Sequence, residues 1–184
     1  ISPEFSNTIT NRGTITALEG GLVAFVAPGV QNTGIINARL GKVSLAAGNT
    51  FTLDLYGDQL VNLGVDSEVI ENVTGFDGEQ LKSLVSNTGS IYADGGTVAM
   101  DVRTAQSLID GVINMSGYIQ ARSIAKKNGS IYLTGGNEGL VSVSGNIDAT
   151  GLRTNETGGV VHVLGNRVGL YDYARIDVSG DAGG

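Results

Sequence analysis

The sequence predicts an all-β fold, a right-handed parallel β-helix of about six rungs. Three observations predict it: a phrase that recurs around an unchanging Ile, a second apolar pair after each copy, and many glycines with few prolines. The chain has 184 residues, of which 29 are Gly and 2 are Pro. Repetition at this scale is typical of solenoids, in which each unit buries its apolar face only by stacking on its neighbours.

The recurring phrase reads Asn-x-Gly-x-Ile-x-Ala and is clearest in NTGSIYA, which begins at Asn87. The residue two places before the Ile is called the anchor here. The six anchors are Gly13, Gly34, Gly89, Gly117, Gly145 and Ala174. The six isoleucines are Ile15, Ile36, Ile91, Ile119, Ile147 and Ile176. Ala or Val follows two residues later and a polar residue lies between, so each phrase predicts a half-buried strand with its Ile facing inward.

Two further strands follow in the unit. The second apolar pairs are Val23/Phe25, Val43/Leu45, Val98/Met100, Ile131/Leu133 and Val161/Val163. The third candidates are FTLDL from Phe51, LVSVS from Leu140 and RVGLY from Arg167. Stacked in parallel at about 4.8 Å, equal positions form ladders. Each buried Ile contributes roughly 1.5–3 kcal/mol, so the interior column is expected to set the register. Crossovers between parallel strands are right-handed in nearly all proteins.

Asn11, Asn32 and Asn87 share one turn position, two residues before the anchor. Asn tolerates the left-handed conformation and forms hydrogen bonds to nearby backbone. In a stacked coil these amides lie one above the other. We therefore expect hydrogen bonds between them along the coil axis.

The domain organisation follows from the spacing of the repeat. Residues 1–5, ISPEF, do not fit it and are interpreted as a cloning remnant; residues 6–184 are predicted to be a single β-helix segment of a longer chain, with an insertion at about 57–86. Short helical insertions are predicted where apolar residues recur at i, i+3, i+4, to cover a sheet face or, alternatively, to bind a partner. The stretches are EQLKSLV, with Leu81, Leu84 and Val85, and TAQSLIDGV, with Ala105, Leu108, Ile109 and Val112.

Composition excludes several functions. A net charge of −7 argues against nucleic acid and anionic membrane surfaces as partners. With no Cys there are no disulfides and no Cys-based metal sites. No run approaches the roughly 18 apolar residues of a membrane span, so membrane insertion is not expected. Calcium-binding nonapeptides and phosphate loops are absent as well, and we predict neither cofactor nor metal.

Catalytic candidates are few. His162 is the only His, and alternation directs it outward, with no second His or Cys to complete a triad or zinc site. Asp148 and Asp177 share an outward column and are the best candidate for a sugar-cleaving carboxylate pair. With no basic cluster evident beside them, we interpret them as solvated surface and predict that the chain is not an enzyme.

Tyr92, Tyr118 and Tyr132 point outward by their phase in the strands. Exposed Tyr stacks on sugars or on partner proteins, so these three form the candidate ligand-contact surface. The alternative is that they belong to the ordinary composition of a β-surface.

The stretches GTITALEGGLVAFVAPGVQNTGIINARLGKVSL and NTGSIYADGGTVAMDVRTAQSLIDGVINMSGYIQARS resemble the filamentous haemagglutinin-like exoproteins of two-partner secretion systems. The similarity covers nearly the whole chain after the opening residues and corresponds to the β-helix region that follows the secretion domain. It implies a secreted or cell-surface bacterial protein, exported through an outer-membrane transporter and used for adhesion, aggregation or biofilm, with a host surface or glycan as partner. The Asn-Pro-Asn-Gly phrase of the secretion domain is not in this chain.

The function expected from these observations is that of a structural rod segment in a surface adhesin. Two alternatives stay open: a carbohydrate-active β-helix enzyme, and the stalk of a contact-dependent toxin. An enzyme is expected to gather carboxylates and Arg or Lys in one outward groove, whereas a plain rod is expected to show no such groove.

Overall fold

The chain forms a parallel β-helix. The computed structural model describes residues 8–48, 50–54, 62–67, 73–103, 111–137 and 139–184. In these ranges every regular element is a strand, and no helix suited to crossing a membrane is present among them. The strands are β1 (Thr8–Asn11), β2 (Thr14–Thr16), β3 (Leu22–Ala27), β4 (Gly29–Asn32), β5 (Ile35–Asn37), β6 (Lys42–Ala47), β7 (Thr50–Asp54), β8 (Asn62–Ser67), β9 (Val85–Asn87), β10 (Ser90–Tyr92), β11 (Thr97–Val102), β12 (Gly111–Met115), β13 (Tyr118–Gln120), β14 (Ser130–Thr134), β15 (Leu140–Val143), β16 (Asn146–Asp148), β17 (Val160–Leu164), β18 (Arg167–Leu170) and β19 (Arg175–Asp177).

Three parallel sheets make up the coil. Sheet A has the order β1-β4-β9-β12-β15-β18, sheet B the order β2-β5-β10-β13-β16-β19, and sheet C the order β3-β6-β11-β14-β17. The chain visits sheets A, B and C in turn, so each strand pairs with its counterparts one rung before and one rung after. Rungs 1 to 5 contribute to all three sheets, and rung 6 consists of β18 and β19. The predicted parallel β-helix of about six rungs is confirmed.

The isoleucine column of sheet B lies in register, as predicted. Pairing runs from Ile15 through Ile36, Ile91, Ile119 and Ile147 to Ile176. The four central isoleucines are at most 1% exposed. The second apolar pairs form two matching columns in sheet C. These columns fill the coil and fix the register of its strands.

The corner asparagines are bonded to one another, as expected. Asn11 donates from Nδ2 to Asn32 Oδ1 at 2.8 Å, and Asn32 donates from Nδ2 to Asn87 Oδ1 at 2.7 Å. Asn87 Nδ2 in turn lies 3.4 Å from the sulfur of Met115, where the column becomes apolar. All three amides are buried. The chain of bonds satisfies polar groups that burial otherwise makes costly.

Glycine occupies the anchor position because successive turns approach closely there. At Gly34, Gly89, Gly117 and Gly145 an added Cβ would collide with the carbonyl oxygen of the anchor one rung earlier. Gly13, in rung 1, has no such neighbour: the nearest atom to its added Cβ is Asn11 Oδ1 at 4.0 Å. At these four positions the close approach of backbone to backbone leaves no room for a Cβ, whereas the anchor of rung 6 is Ala174.

The predicted helix in EQLKSLV is wrong. Leu81 and Leu84 are buried, but β9 begins at Val85, which pairs with Val30 of β4 and Ile113 of β12. The Leu84 carbonyl accepts a hydrogen bond from the N–H of Val30 at 2.7 Å. Pairing with two neighbouring rungs outweighs the local helical spacing, because an isolated helix of this length is marginal.

Two other predictions between rungs also need correction. FTLDL was predicted to be a strand of the coil, but it forms most of β7, which pairs antiparallel with β8 in a separate two-stranded sheet. Strand β8 lies within the predicted insertion. Val112, assigned to a helix from the sequence, lies in β12 of sheet A. The rest of that predicted helix, residues 104–110, is outside the described residues. The candidates LVSVS and RVGLY are confirmed as strands β15 and β18 of sheet A.

Candidate binding groove on the outer face of sheet B

The three candidate tyrosines lie on two different faces. Tyr92 and Tyr118 project from adjacent strands of sheet B, with ring centroids 5.7 Å apart and planes tilted by 53°. Tyr132 projects from sheet C beside His162, with centroids 5.3 Å apart. The structure thus brings two of them together and places the third elsewhere.

His162 is exposed on β17, in agreement with its phase in the strand. Within the described ranges no group of three or more His, Cys, Asp or Glu side chains is arranged to hold a metal ion.

Asp148 and Asp177 are directly paired neighbours in strands β16 and β19. Each has an arginine beside it, which the sequence analysis missed. Arg122 approaches Asp148 Oδ2 with Nε at 2.8 Å and Nη2 at 2.6 Å. Arg175 Nη2 lies 2.9 Å from Asp177 Oδ2. The interpretation of two isolated solvated carboxylates therefore needs correction: two ion pairs lie side by side on one outward face.

Asp148 is held by donors from two rungs. Its Oδ1 accepts from the backbone N–H of Thr150 at 3.1 Å and from the Thr150 hydroxyl at 2.8 Å. Its Oδ2 accepts from Arg122 and from the Tyr118 hydroxyl at 3.1 Å. Burial alone would raise the pKa of Asp148, but the hydrogen bonds from Arg122 and Thr150 outweigh it and hold the pKa below its usual value. The carboxylate is ionised at neutral pH.

Tyr118 keeps its proton in this network. Burial, and then the negative charge of Asp148, raise the pKa of the Tyr118 phenol. Its hydroxyl is therefore a donor, shared between Asp148 and Gln120 Oε1, which lies 3.0 Å away. Gln120 donates in turn from Nε2 to both carboxylate oxygens of Asp94, at 3.0 and 2.8 Å. The network extends from rung 3 to rung 5.

Asp177 is ionised for similar reasons. The Ser179 hydroxyl donates to Oδ1 at 2.6 Å and the Ser179 N–H donates to the same oxygen at 3.0 Å. Together with Arg175 these bonds lower the pKa of Asp177 to about 2, from an ordinary value of 3.8. Both carboxylates of the pair are therefore acceptors and neither carries a proton at neutral pH.

These side chains line an open groove of about 360 Å³ that crosses rungs 4 to 6. The lining residues are Tyr118, Arg122, Asn146, Ile147, Asp148, Thr150, Leu152, Arg175 and Asp177. Of the three candidate tyrosines only Tyr118 belongs to it. The sequence signal for the groove was the outward columns of sheet B, which become charged in rungs 5 and 6 at Asp148, Arg175 and Asp177. The arrangement offers fixed hydrogen-bonding groups beside apolar surface, as small-ligand sites do.

The chain was also compared with known proteins. No protein-family model matches it, and no curated protein is significantly similar to it in sequence.

Proposed function

We propose that this chain is a rod segment of a secreted bacterial surface adhesin that is exported through an outer-membrane transporter of a two-partner system. The observation that carries the rod is the isoleucine column, which keeps its register through six rungs. Such a coil lengthens by adding rungs, because each rung contacts only its neighbours. The assignment to adhesion, and to the cell surface or medium, comes from the resemblance of the repeated phrases to haemagglutinin-like exoproteins.

The second candidate is a carbohydrate-active enzyme, and the groove is the feature that favours it. Carboxylates and arginines are gathered there on one outward face. The sequence analysis gave this arrangement as the one expected of an enzyme. Glycoside hydrolysis by a carboxylate pair, however, requires one of them to be protonated and to act as an acid. Asp148 and Asp177 both have lowered pKa values, so the pair lacks that acid at neutral pH. The groove is better suited to binding than to cleavage.

Adhesion is tested with beads coated with the purified chain and applied to epithelial cells and to an abiotic surface. We expect retention above that of beads coated with the same chain carrying Ile91→Asp, which destroys the interior column. Equal retention of the two preparations would contradict the adhesin assignment. A full-length protein that kills neighbouring cells on contact would favour the toxin-stalk alternative.

Cleavage is tested by incubating the chain with a panel of polysaccharides and measuring new reducing ends. We expect none. Release of reducing ends that is lost in Asp148→Asn would favour the enzyme instead.

Export is tested by placing the chain behind a secretion domain, together with the matching transporter. We expect the fusion in the medium or on the cell surface, accessible to added protease. Retention of the fusion in cells that export the secretion domain alone would contradict two-partner export of this rod.

A further inference from the structure

We propose that the groove across rungs 4 to 6 of sheet B binds a neutral saccharide, an inference that rests on the proposed adhesin function and gives it a ligand. Its volume of about 360 Å³ lies in the range of roughly 300–1,000 Å³ found for small-molecule sites. It crosses three neighbouring strands and is therefore about 10 Å long, two interstrand spacings.

The groove presents hydrogen-bond donors that are already oriented. Arg122 is held by Asp148, and that contact involves Nε and Nη2 of a guanidinium with five N–H donors. Among the contacts of the described residues, the remaining N–H groups of Arg122, those of Arg175 and the exposed amide of Asn146 are left for a ligand. Saccharide hydroxyls accept such bonds. Because Asp148 already holds the Arg122 guanidinium before a ligand arrives, little conformational entropy of this side chain is lost on binding.

Apolar surface completes the site. The Tyr118 ring lies against Tyr92 at one end of the groove, with its hydroxyl tied to Asp148. Leu152 lines the groove and is 67% exposed, so its aliphatic side chain is accessible to a ligand. A sugar ring has apolar C–H faces as well as hydroxyls, so it matches a surface in which an aromatic ring and an aliphatic side chain stand beside polar groups.

Charge selects a neutral ligand. Arg122 and Arg175 are each paired with one aspartate, so the two ion pairs carry no net charge. Asp94 adds a negative charge next to them through Gln120 and the backbone of Arg122, and the chain as a whole carries −7. Acidic saccharides are therefore repelled on approach, whereas neutral ones meet no such penalty.

Binding is measured on the whole chain with an array of neutral and acidic oligosaccharides, followed by titration calorimetry with the best neutral one. We expect binding to a neutral saccharide that Arg175→Gln and Leu152→Ala each weaken at least fivefold. The matched control is Asn37→Ala, in the column of Asp148 but in rung 2, and it should leave affinity unchanged. Far-ultraviolet circular dichroism of each variant checks that the coil is intact.

The proposal is overturned if no neutral saccharide binds, if Arg175→Gln and Leu152→Ala bind like the control, or if only acidic saccharides bind. Its failure is distinguishable from failure of the adhesin function. Beads that adhere equally well with Arg175→Gln and with the unchanged chain leave adhesion standing and remove the groove from it. Saccharide binding by a chain whose beads do not adhere supports the groove and removes the adhesin assignment.

Discussion

Rungs 1 to 3 and rungs 4 to 6 differ in the corner column of sheet A and on the outer face of sheet B. In the first half the corner column is the buried amide chain of Asn11, Asn32 and Asn87. In the second half the same column continues as Met115, Val143 and Leu170. On the outer surface, rungs 1 and 2 present one hydrogen bond, from Asn37 to Thr16, and one exposed ion pair, between Arg39 and Glu19. Rungs 4 to 6 present two adjacent ion pairs and the groove.

The difference teaches that one scaffold supports both arrangements. The isoleucine column of sheet B runs without interruption through the two halves. Since this column holds the register, a corner is stable with amides or with apolar side chains, provided that each buried polar group finds a partner. The outer face is then free to differ from rung to rung, which is the property that a binding surface needs.

The largest effect is expected from a charge in the shared column. Ile91→Asp places a carboxylate at a position that is 0% exposed. Loss of the buried Ile and burial of an unpaired carboxyl group should together remove a large part of the total stability, which is about 5–15 kcal/mol for an ordinary domain. We therefore expect a large fall in the urea midpoint or the loss of cooperative unfolding. The control is Tyr92→Asp on the outer face, expected to cost about 1 kcal/mol or less. Equal losses in urea denaturation would refute the inward and outward assignment.

A smaller loss is expected from the amide chain of the first half. Asn32→Ala leaves the Asn11 donor and the Asn87 acceptor buried without partners, at about 1–3 kcal/mol each, so we expect a loss of about 2–6 kcal/mol in urea denaturation. The control Asn37→Ala, on the outer face of the same rung, should cost less than about 0.5 kcal/mol.

The comparison of the two halves becomes sharper if all three amides are replaced. Asn11→Leu, Asn32→Leu and Asn87→Leu together imitate the apolar corner of rungs 4 to 6 and leave no buried amide unpaired. We expect the triple variant to be more stable than Asn32→Ala. A triple variant that is less stable than Asn32→Ala would show that the amides add stability to the fold beyond satisfying one another's hydrogen bonds.

A third prediction compares Gly→Ala substitutions at the anchor of rung 1, which has no rung before it, and at the anchor of rung 3, which stacks on rung 2. Gly89→Ala places a methyl group against the Gly34 carbonyl and should cost about 1–3 kcal/mol through forced backbone movement. Gly13→Ala meets only ordinary contacts and should change the unfolding free energy by less than about 1 kcal/mol. Thermal denaturation of the two variants provides the measurement. A similar cost at both positions would contradict the close approach of successive turns.

The smallest effect is a pH dependence that belongs to the second half. The pKa of Asp177 is about 2 in the folded chain and near 3.8 when unfolded, so its contribution to stability is present above about pH 4 and is lost as the pH falls towards 2. Asp148, with its lowered pKa, acts in the same direction. Melting temperatures at pH 5.5 and pH 2.5 should therefore differ less for Asp177→Asn than for the unchanged chain. Equal differences would show that the carboxylate is not held ionised.

Most of the coil was predictable because its signals are local. The alternation around each Ile gave the strands of sheet B, their inward faces and, by comparison of copies, the register that Ile36, Ile91 and Ile119 confirm. The predicted amide chain is confirmed for the same reason, since equal positions of successive rungs must meet. The helix at Leu81 to Val85 failed because a local spacing was weighed without the two strands that pair with β9.

The groove was only half predictable. Tyr118 and the Asp148–Asp177 pair were recognised as outward residues of sheet B, but their ion pairs with Arg122 and Arg175 were not. Arg122 lies after the end of β13, at a corner, and is 26 residues from Asp148 in the chain. Whether a corner side chain folds back over the sheet depends on the rung stacked next to it, which is not visible in either segment alone.

The sequence by itself determined which residues face inward and how many rungs stack, because strand alternation and repetition are properties of neighbouring residues and of equal positions. Only the tertiary structure decided that β7 and β8 form a separate hairpin, that the ion pairs stand side by side and that Tyr132 is apart from Tyr92 and Tyr118. These outcomes depend on contacts between corners and outward side chains of different rungs. Such contacts are determined by tertiary packing and not by any local sequence preference.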